Sequence, residues 1–382
     1  MGDEMQKGLE GVLVAESALS AIDGAAGKLV YRGYDIESLA REATYEEVLH
    51  LLWHGHLPTE SELAAFSAQL TAERGVDDGV FGTLETLADA DERPMAALRT
   101  AVSMLSANEP ENPDPGNTDR ALRAGRRITA KVPTVLAGYD RIRRGEEPLD
   151  PDPELGHAAN FLYMLTGERP DEVAAETFDQ ALILHADHGL NASTFTAMVI
   201  ASTLADVYSA VTGGVAALSG SLHGGANQDV MELLLDIDAS EKGPIEWVDD
   251  ELDDDDWHVP GWGHRVYDVK DPRAKILQTR LAALADAGDD TWHTYTSEIE
   301  RYLIEERGLL DHDIAPNVDF FSGAVYQQLG IPVDMYTPIF AMSRSAGWIG
   351  HIIEYQDENR LIRPRARYVG PADEEFIPLG ER

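Results

Sequence analysis

Apolar positions recur with helical spacing along almost the whole chain. In "TYEEVLHLLWHGHLP" Val48, Leu51 and Leu52 fall on one stripe, in "FDQALILHADH" Ala181, Leu184, His185 and His188 lie close together, and in "SAGWIGHIIEY" Ile349, Ile352 and Ile353 repeat the pattern. Strand-like alternation is scarce. "GKLVYRGYD" near the N-terminus reads as a short hairpin arm, but no series of strand–helix units follows it and no glycine-rich turn closes a strand, so a dinucleotide-binding fold is excluded. The expected class is all-α.

Helix stops are expected at Gly189, at Gly213–Gly214, and at Gly224–Gly225, where "SLHGGANQDVMELLLDI" opens a new amphipathic helix. The apolar stretch "NASTFTAMVIASTLADVYSAVTGGVAALSG" is broken by Asp206 and rich in small residues, so it reads as a buried core helix and not as a membrane span. We take residues 225–330 as a small domain inserted into a large one made of residues 1–224 and 331–382. The Pro/Asn/Asp-rich "SANEPENPDPGNTDR" of residues 106–120 reads as a surface loop of the large domain.

Charge changes this picture. The 382 residues carry 69 acidic and 30 basic side chains, a net charge of -39, yet 43% are hydrophobic and the acids are spread along the length, which describes a folded chain and not a disordered acidic tail. Only six of the basic residues are Lys. Self-repulsion of this size is tolerable where it is screened, and the Debye length falls from about 10 Å at 0.1 M salt to about 3 Å at 1 M. The composition therefore reads as adaptation to a salt-rich, halophilic cytoplasm, the alternative being an acidic surface in ordinary salt; either excludes a general nucleic-acid binder. The chain has no Cys, which removes disulfides, thiolate nucleophiles and Cys-based metal sites and fits a cytosolic setting. "MGDEMQKGLEG" has neither a basic n-region nor an apolar h-region, so no signal peptide is expected.

Reactive side chains concentrate in "SLHGGAN" with His223, "PGWGHRVYDVKDPR" with His264 and Arg273, and "APNVDFFSG" with Asp319, although each alone also fits a capping or packing role. His223 stands at a Gly-Gly helix entrance, where the positive dipole end lowers an imidazole pKa and leaves a neutral hydrogen-bond donor. His264 follows Gly261 and Gly263 in a loop that can move. Asp319 lies between Pro316–Asn317 and two aromatics, where desolvation raises its pKa toward useful basicity. Two neutral imidazoles and a carboxylate suit proton abstraction next to a carbonyl. Arg273, Arg344 in "FAMSRSAGW" and Arg363 in "NRLIRPRARY" have apolar or Pro-bounded neighbours, which suits guanidinium forks held for carboxylates; the alternative is pairing with the surplus of acids.

The acid run "DDELDDDD" at 249–256 reads as a solvated surface, since no His or Cys is interleaved to make it a metal trap. A metal-dependent hydrolase using His50, His54 and His56 of "HLLWHGH" and His185 and His188 of "HADH" is the remote alternative, but no HExxH or other ordered ligand set accompanies them.

The motifs "GLEGVLVAESALSAIDGAAGKLVYRGYDIESLA", "VPTVLAGYDRI", "LHADHGLNASTFT", "SLHGGAN", "PGWGHRVY", "DPRA", "NVDFFSG" and "GWIGHIIEYQDENRLIRPRARYVGP", in this order, resemble the citrate synthases nearly end to end. The resemblance implies an all-α homodimer with a large and a small domain that condenses acetyl-CoA with oxaloacetate and hydrolyses citryl-CoA to citrate and CoA, at the entry to the tricarboxylic acid cycle. It implies no metal and no other cofactor, no nucleic-acid partner and no membrane association. By the same resemblance His223 hydrogen-bonds the thioester carbonyl, Asp319 removes a methyl proton, and His264 binds and protonates the oxaloacetate carbonyl. His188, Arg273 and Arg344 match oxaloacetate and citrate ligands, and Arg363 matches one that reaches across the dimer. Trp257, His258, Val259, Pro260 and Gly261 match the loop whose backbone cradles the coenzyme A adenine. Asp268 stands where many relatives carry Lys or Arg, so a phosphate contact is expected to shift to Arg265 or Lys270. 2-Methylcitrate synthase, which uses propionyl-CoA on the same fold, is the near alternative.

Overall fold

A computed structural model describes residues 6–9, 11–109, 116–253, 257–286 and 288–382. The N-terminal hairpin arm is a three-stranded antiparallel sheet of β1 (Ser20–Asp23), β2 (Lys28–Tyr31) and β3 (Tyr34–Asp35), with Ser20 opposite Tyr31 and Val30 opposite Asp35. Helices make up the rest of the regular structure: α1 (Ile36–Glu42), α2 (Tyr45–His54), α3 (Glu60–Ala72), α4 (Asp78–Asp89), α5 (Pro94–Leu105), α6 (Thr118–Arg143), α7 (His157–Thr166) and α8 (Glu172–His185) come first. They are followed by α9 (Ala192–Ala201), α10 (Val207–Leu218), α11 (Ala226–Ala239), α12 (Pro244–Glu251), α13 (Pro272–Asp286), α14 (Thr291–Glu305), α15 (Val318–Gln328) and α16 (Tyr336–Asp357). The class is all-α, as expected.

Local chemistry sets the helix starts. Thr44 with Glu47 and Thr59 with Glu62 form reciprocal capping boxes on α2 and α3. Asn191 accepts from the Ser193 and Thr194 N–H groups of α9, and Asn317 accepts from Asp319 N–H at the head of α15. Two of these caps fix site residues directly.

The long apolar stretch expected as one buried helix is two, α9 and α10. The break comes where Leu204 takes a left-handed φ of 63° and Asp206 caps α10 through Ser209 N–H. Gly213 and Gly214, expected as a helix stop, lie inside α10. A Cβ on Gly213 would stand 2.1 Å from Ile200 Cδ1 of α9, and one on Gly214 3.0 Å from the Trp348 ring of α16. These glycines serve close helix packing and not termination, which is the other reason a helix interior carries Gly. Of the expected 106–120 loop, residues 106–108 form a single 3-10 turn and residues 118–120 already belong to α6, while 110–115 fall outside the described residues.

α16 is the hub of the larger body, packed on α2, α5, α6, α8, α9 and α10 and burying Trp348, Ile349 and Ile352 completely. α11, α13 and α14 pack on α15, and α12 packs on α14. This second group meets the first where α13 touches α1 and α8 and where α11 touches α16. Arg280 of α13 anchors that seam with hydrogen bonds to Thr177 Oγ1 (3.0 Å), Val173 O (3.2 Å) and Glu176 (3.1 Å) of α8.

The acid run is only partly a free surface. Asp249 binds Arg307 and Tyr302, and Asp250 binds Lys242, so its first turn is tied to α14 and to the α11–α12 turn; Asp254–Asp256 fall outside the described residues. Among the described residues no helix is long and apolar enough to cross a membrane.

Candidate active site

Three side-by-side residues of α16 grip the segment that follows α8. Arg344 Nε donates to His185 O (2.7 Å), Gly347 N–H donates to Ala186 O (2.9 Å), and His351 Nε2 meets Asp187 Oδ1 (3.1 Å). Spacing by three and four residues puts these groups on one helical stripe. From the other side Ser20 Oγ binds Asp187 Oδ2 and Tyr31 donates its hydroxyl to Asp187 O (2.8 Å). Burial by itself would raise the Asp187 pKa, but His351, Arg344 and Ser20 together hold it below the usual carboxylate range. His188, the next residue, is thereby held on a fixed backbone.

His223 is placed by α9. Its Nε2 accepts a hydrogen bond from Ser193 N–H (3.1 Å) and lies 2.8 Å from Ser193 Oγ. A backbone N–H can only donate, so the ring proton sits on Nδ1 and that edge is the donor. Burial, with Arg344 adding to it, depresses the pKa to about 4. The ring is neutral, as expected, but the reason differs: desolvation leads, and the helix end it touches is that of α9, not of α11.

His264 has the opposite tautomer. Its Nδ1 accepts from the N–H groups of Val266 (3.0 Å) and Tyr267 (3.3 Å), which leaves the proton on Nε2. Burial and then Arg273 depress its pKa to about 4. The rings of His188 and His264 meet edge to face at 5.4 Å, and the Tyr267 ring lies 4.9 Å from His264. His188, pushed well below its ordinary pKa by burial and by Arg273 and Arg344, reaches Tyr267 Oη with Nε2 at 3.2 Å.

The loop expected to be free is clamped. Gly263 N–H donates to Ala315 O (2.9 Å), Asn317 N–H donates to Gly261 O (2.9 Å), and Asn317 Nδ2 donates to Gly263 O (2.8 Å). Gly261 has φ +75°, and a Cβ there would stand 2.8 Å from Phe320 Cα. His264 and Asp319 are thus carried by one continuous piece of backbone.

Asp319 keeps a little accessible surface but its carboxyl is surrounded by protein, and this desolvation raises its pKa to about 6. Arg273 and Arg344 pull in the other direction without prevailing. No hydrogen bond or ion pair holds the carboxyl among the described residues. Such a group is a carboxylate near neutrality with a lone pair free to take a proton.

The two buried arginines differ. Arg273 donates Nε (3.0 Å) and Nη2 (2.7 Å) to the buried carboxylate of Asp271, and although burial opposes its charge, Asp271 holds it above the ordinary range. Arg344 lies over the Phe340 ring at 4.6 Å and donates to one carbonyl, and among the described residues no carboxylate lies within ion-pairing distance. Burial lowers its pKa to about 10. Pairing with surplus acid therefore describes Arg273 and not Arg344.

Other expected residues stand apart. Arg363 lies exposed in the extended segment after α16. In the adenine loop Val259 is buried, Trp257 packs against Trp247 of α12 at 6.2 Å, and His258 is exposed. Lys270 is committed inward, bonded to Glu300 and to Gln278 (2.6 Å) with its ammonium 4.8 Å from the Phe321 ring centre, so of the two cations expected near phosphate only Arg265 is exposed. His50, His54 and His56 pack ring to ring, and among the described residues no group of three or more His, Asp or Glu is arranged to hold a metal. A groove of about 950 Å³ beside α1, α3 and α8 is lined by Glu46, Arg74 and Asp179 and by none of the site residues. Sequence reasoning did not single out Ser193, Asp187, Tyr267 or Asp271; only Asp271, two residues before Arg273 at a Pro-led helix start, and Asp187, between two histidines, carried a visible signal.

The family model for "Citrate synthase, C-terminal domain" matches residues 8–365. A citrate synthase of Haloferax volcanii is 60% identical over all of both chains. Among solved structures, the citrate synthase of Pyrobaculum aerophilum superposes with a TM-score of 0.89 at 40% identity, covering 98% of this chain and 95% of that one. The Thermoplasma acidophilum citrate synthase, solved as a ternary complex with carboxymethyl coenzyme A and oxaloacetate, superposes with a TM-score of 0.91 at 34% identity over all of both chains.

Proposed function

The chain belongs to the citrate synthase family, and on that premise we propose that it joins acetyl-CoA to oxaloacetate with His223, His264 and Asp319 as the reacting groups. The observation that carries the reading is the uncompensated Arg344: a buried guanidinium with no carboxylate of its own, beside a neutral His188 and an already-forked Arg273, fits a small dicarboxylate. Oxaloacetate is such an anion, with a carbonyl to be attacked.

His223 donates from Nδ1 to the thioester oxygen while Asp319 takes a proton from the acetyl methyl group. The carbon nucleophile so formed attacks the oxaloacetate carbonyl, and His264 donates from Nε2 as charge builds on that oxygen. Burial, with Arg344 beside His223 and Arg273 beside His264, disfavours a cation at either position, so each ring stays neutral and offers a single N–H as donor. Water then cleaves citryl-CoA to citrate and CoA. The polarising work falls to hydrogen-bond donors of this chain.

Residues 225–330 form the small domain that moves onto the large one after oxaloacetate binds, carrying His264 and Asp319 together and shielding acetyl-CoA from water. Residues 257–261 and Arg265 face coenzyme A. Arg363 serves the site of a second copy in a homodimer. The support is its exposure, together with the apolar residues that follow it in sequence: Tyr368, Val369, Phe376 and Leu379 are 74%, 89%, 78% and 82% exposed in one chain. The enzyme works in a salt-rich cytoplasm.

The test is thiol release from oxaloacetate with acetyl-CoA or propionyl-CoA, in molar KCl and at low salt. Acetyl-CoA is the better substrate, by a margin of about 1 to 3 kcal/mol for one methylene; equal or faster turnover of propionyl-CoA reassigns the acyl pocket. Asp319→Ala and His264→Ala each lose about 10²-fold or more of kcat. Near-wild-type turnover by either would reject the site.

A further inference from the structure

Tyr267 touches both histidines on the oxaloacetate side, and by different atoms. Its backbone N–H, with that of Val266, is donated to His264 Nδ1 (3.3 and 3.0 Å), while its hydroxyl lies 3.2 Å from His188 Nε2. Its ring packs against both, 4.9 Å from His264 and 5.6 Å from His188, with the Arg273 guanidinium carbon 6.0 Å from its centre. The residue is almost wholly buried, so neither polar atom has ready recourse to water.

We propose that Tyr267 is a positioning residue that sets the two histidines in opposite tautomers: the N–H fixes His264 with its proton on Nε2, and the hydroxyl, donating to Nε2 of His188, leaves that ring with its proton on Nδ1. The direction of the second bond follows from donor accounting. A buried hydroxyl hydrogen must go somewhere, and His188 Nε2 is the acceptor at hand; the reverse polarity would strand it. Burial also pushes the Tyr267 pKa up, so the hydroxyl keeps its proton across the working range.

The consequence is a division of donors. His264 offers Nε2–H and His188 offers Nδ1–H, so a carbonyl and a carboxylate of one ligand can each accept from a different ring. The backbone around Tyr267 is held from outside the pair as well, since Asp268 N–H donates to Gly24 O (3.3 Å) in the β1–β2 turn. A Cβ on Gly24 would stand 1.6 Å from Val266 O. Tyr267 is therefore placed by the N-terminal sheet, while its hydroxyl reaches the segment gripped by α16.

The inference rests on His188 being an oxaloacetate ligand, and the experiment separates the two. Side-chain ¹⁵N spectra of the wild-type protein in molar KCl show His188 protonated on Nδ1 and His264 on Nε2; finding His188 protonated on Nε2 overturns the proposal without any variant being made. In Tyr267→Phe, which removes the hydroxyl and keeps the backbone donor, the His188 signal changes and that of His264 does not. Oxaloacetate binding, by calorimetry, weakens about tenfold for one lost hydrogen bond, and KM for acetyl-CoA at saturating oxaloacetate stays within about twofold of wild type. Unchanged oxaloacetate affinity in Tyr267→Phe, alongside weakened binding in His188→Ala, rejects the role of Tyr267 alone. Unchanged affinity in His188→Ala rejects the ligand assignment itself.

Discussion

The first turn of α13 and the middle of α16 each bury an arginine, 3% and 1% exposed, and treat its charge in opposite ways. Arg273 is met by Asp271 of its own chain, and Arg344 by an aromatic face and a carbonyl. A buried charge with an internal partner is part of the fold; one without a partner is an incomplete pair. The contrast separates a charge already satisfied within the fold from one that the fold leaves unpaired.

Arg344→Gln tests it most sharply. Oxaloacetate binding falls by about 10³-fold, as expected when one partner of a buried charged pair is cut away, while the melting temperature of the free enzyme holds or rises. A variant that binds oxaloacetate normally would break the contrast. Arg273→Gln behaves the other way, leaving the Asp271 carboxylate buried alone and costing about 3 kcal/mol or more of stability in denaturant titration. Equal stability losses in the two variants would show that the arginines do one job.

The pH profile gives a smaller, signed effect. As the proposed base Asp319 must be deprotonated, and its raised pKa of about 6 places the acid limb of kcat/KM there. Activity then falls about tenfold per pH unit below that value. The imidazoles, depressed to about 4, are neutral throughout this window and do not contribute. Because Arg344 lowers the Asp319 pKa, the limb moves upward in Arg344→Gln; a limb that stays near 4 in the wild type would deny Asp319 its desolvation. Smallest is the response to salt. With residues 257–261 as the proposed coenzyme A loop, the acid run before it, in which Asp250 and Asp253 are exposed, is expected to repel the coenzyme's phosphates, so KM for acetyl-CoA rises several-fold when KCl drops from about 2 M to 0.2 M, as screening shortens with salt. KM for oxaloacetate, set by buried charges, moves less, and a flat KM for acetyl-CoA before inactivation would count against the repulsion.

Helix existence was legible because the apolar stripes are real: Val48, Leu51 and Leu52 are fully buried on α2. Glycine was the ambiguous letter. Gly224–Gly225 precedes a helix start, whereas Gly213–Gly214 lets three helices approach, and one sequence cannot distinguish a missing side chain that ends a helix from one that admits a neighbour. The site divided similarly. The neutrality of His223 was expected from the Gly-Gly helix entrance, but burial is its leading cause, and its partner Ser193 lies 30 positions away so that only folding brings it near. Lys270 looked available for phosphate because Glu300, which holds it, is equally remote. The split between Arg273 and Arg344 was half visible, since Asp271 sits two positions from one of them, while the lack of a partner for the other belongs to the packed structure alone.

The stripe of Arg344, Gly347 and His351 also constrains how this gene can change length. Inserting or deleting a single residue upstream in α16 would rotate everything beyond it by about 100° around the helix axis. That one event would withdraw all three grips on residues 185–187 together. Tolerated insertions and deletions among natural or laboratory variants should therefore avoid residues 336–351.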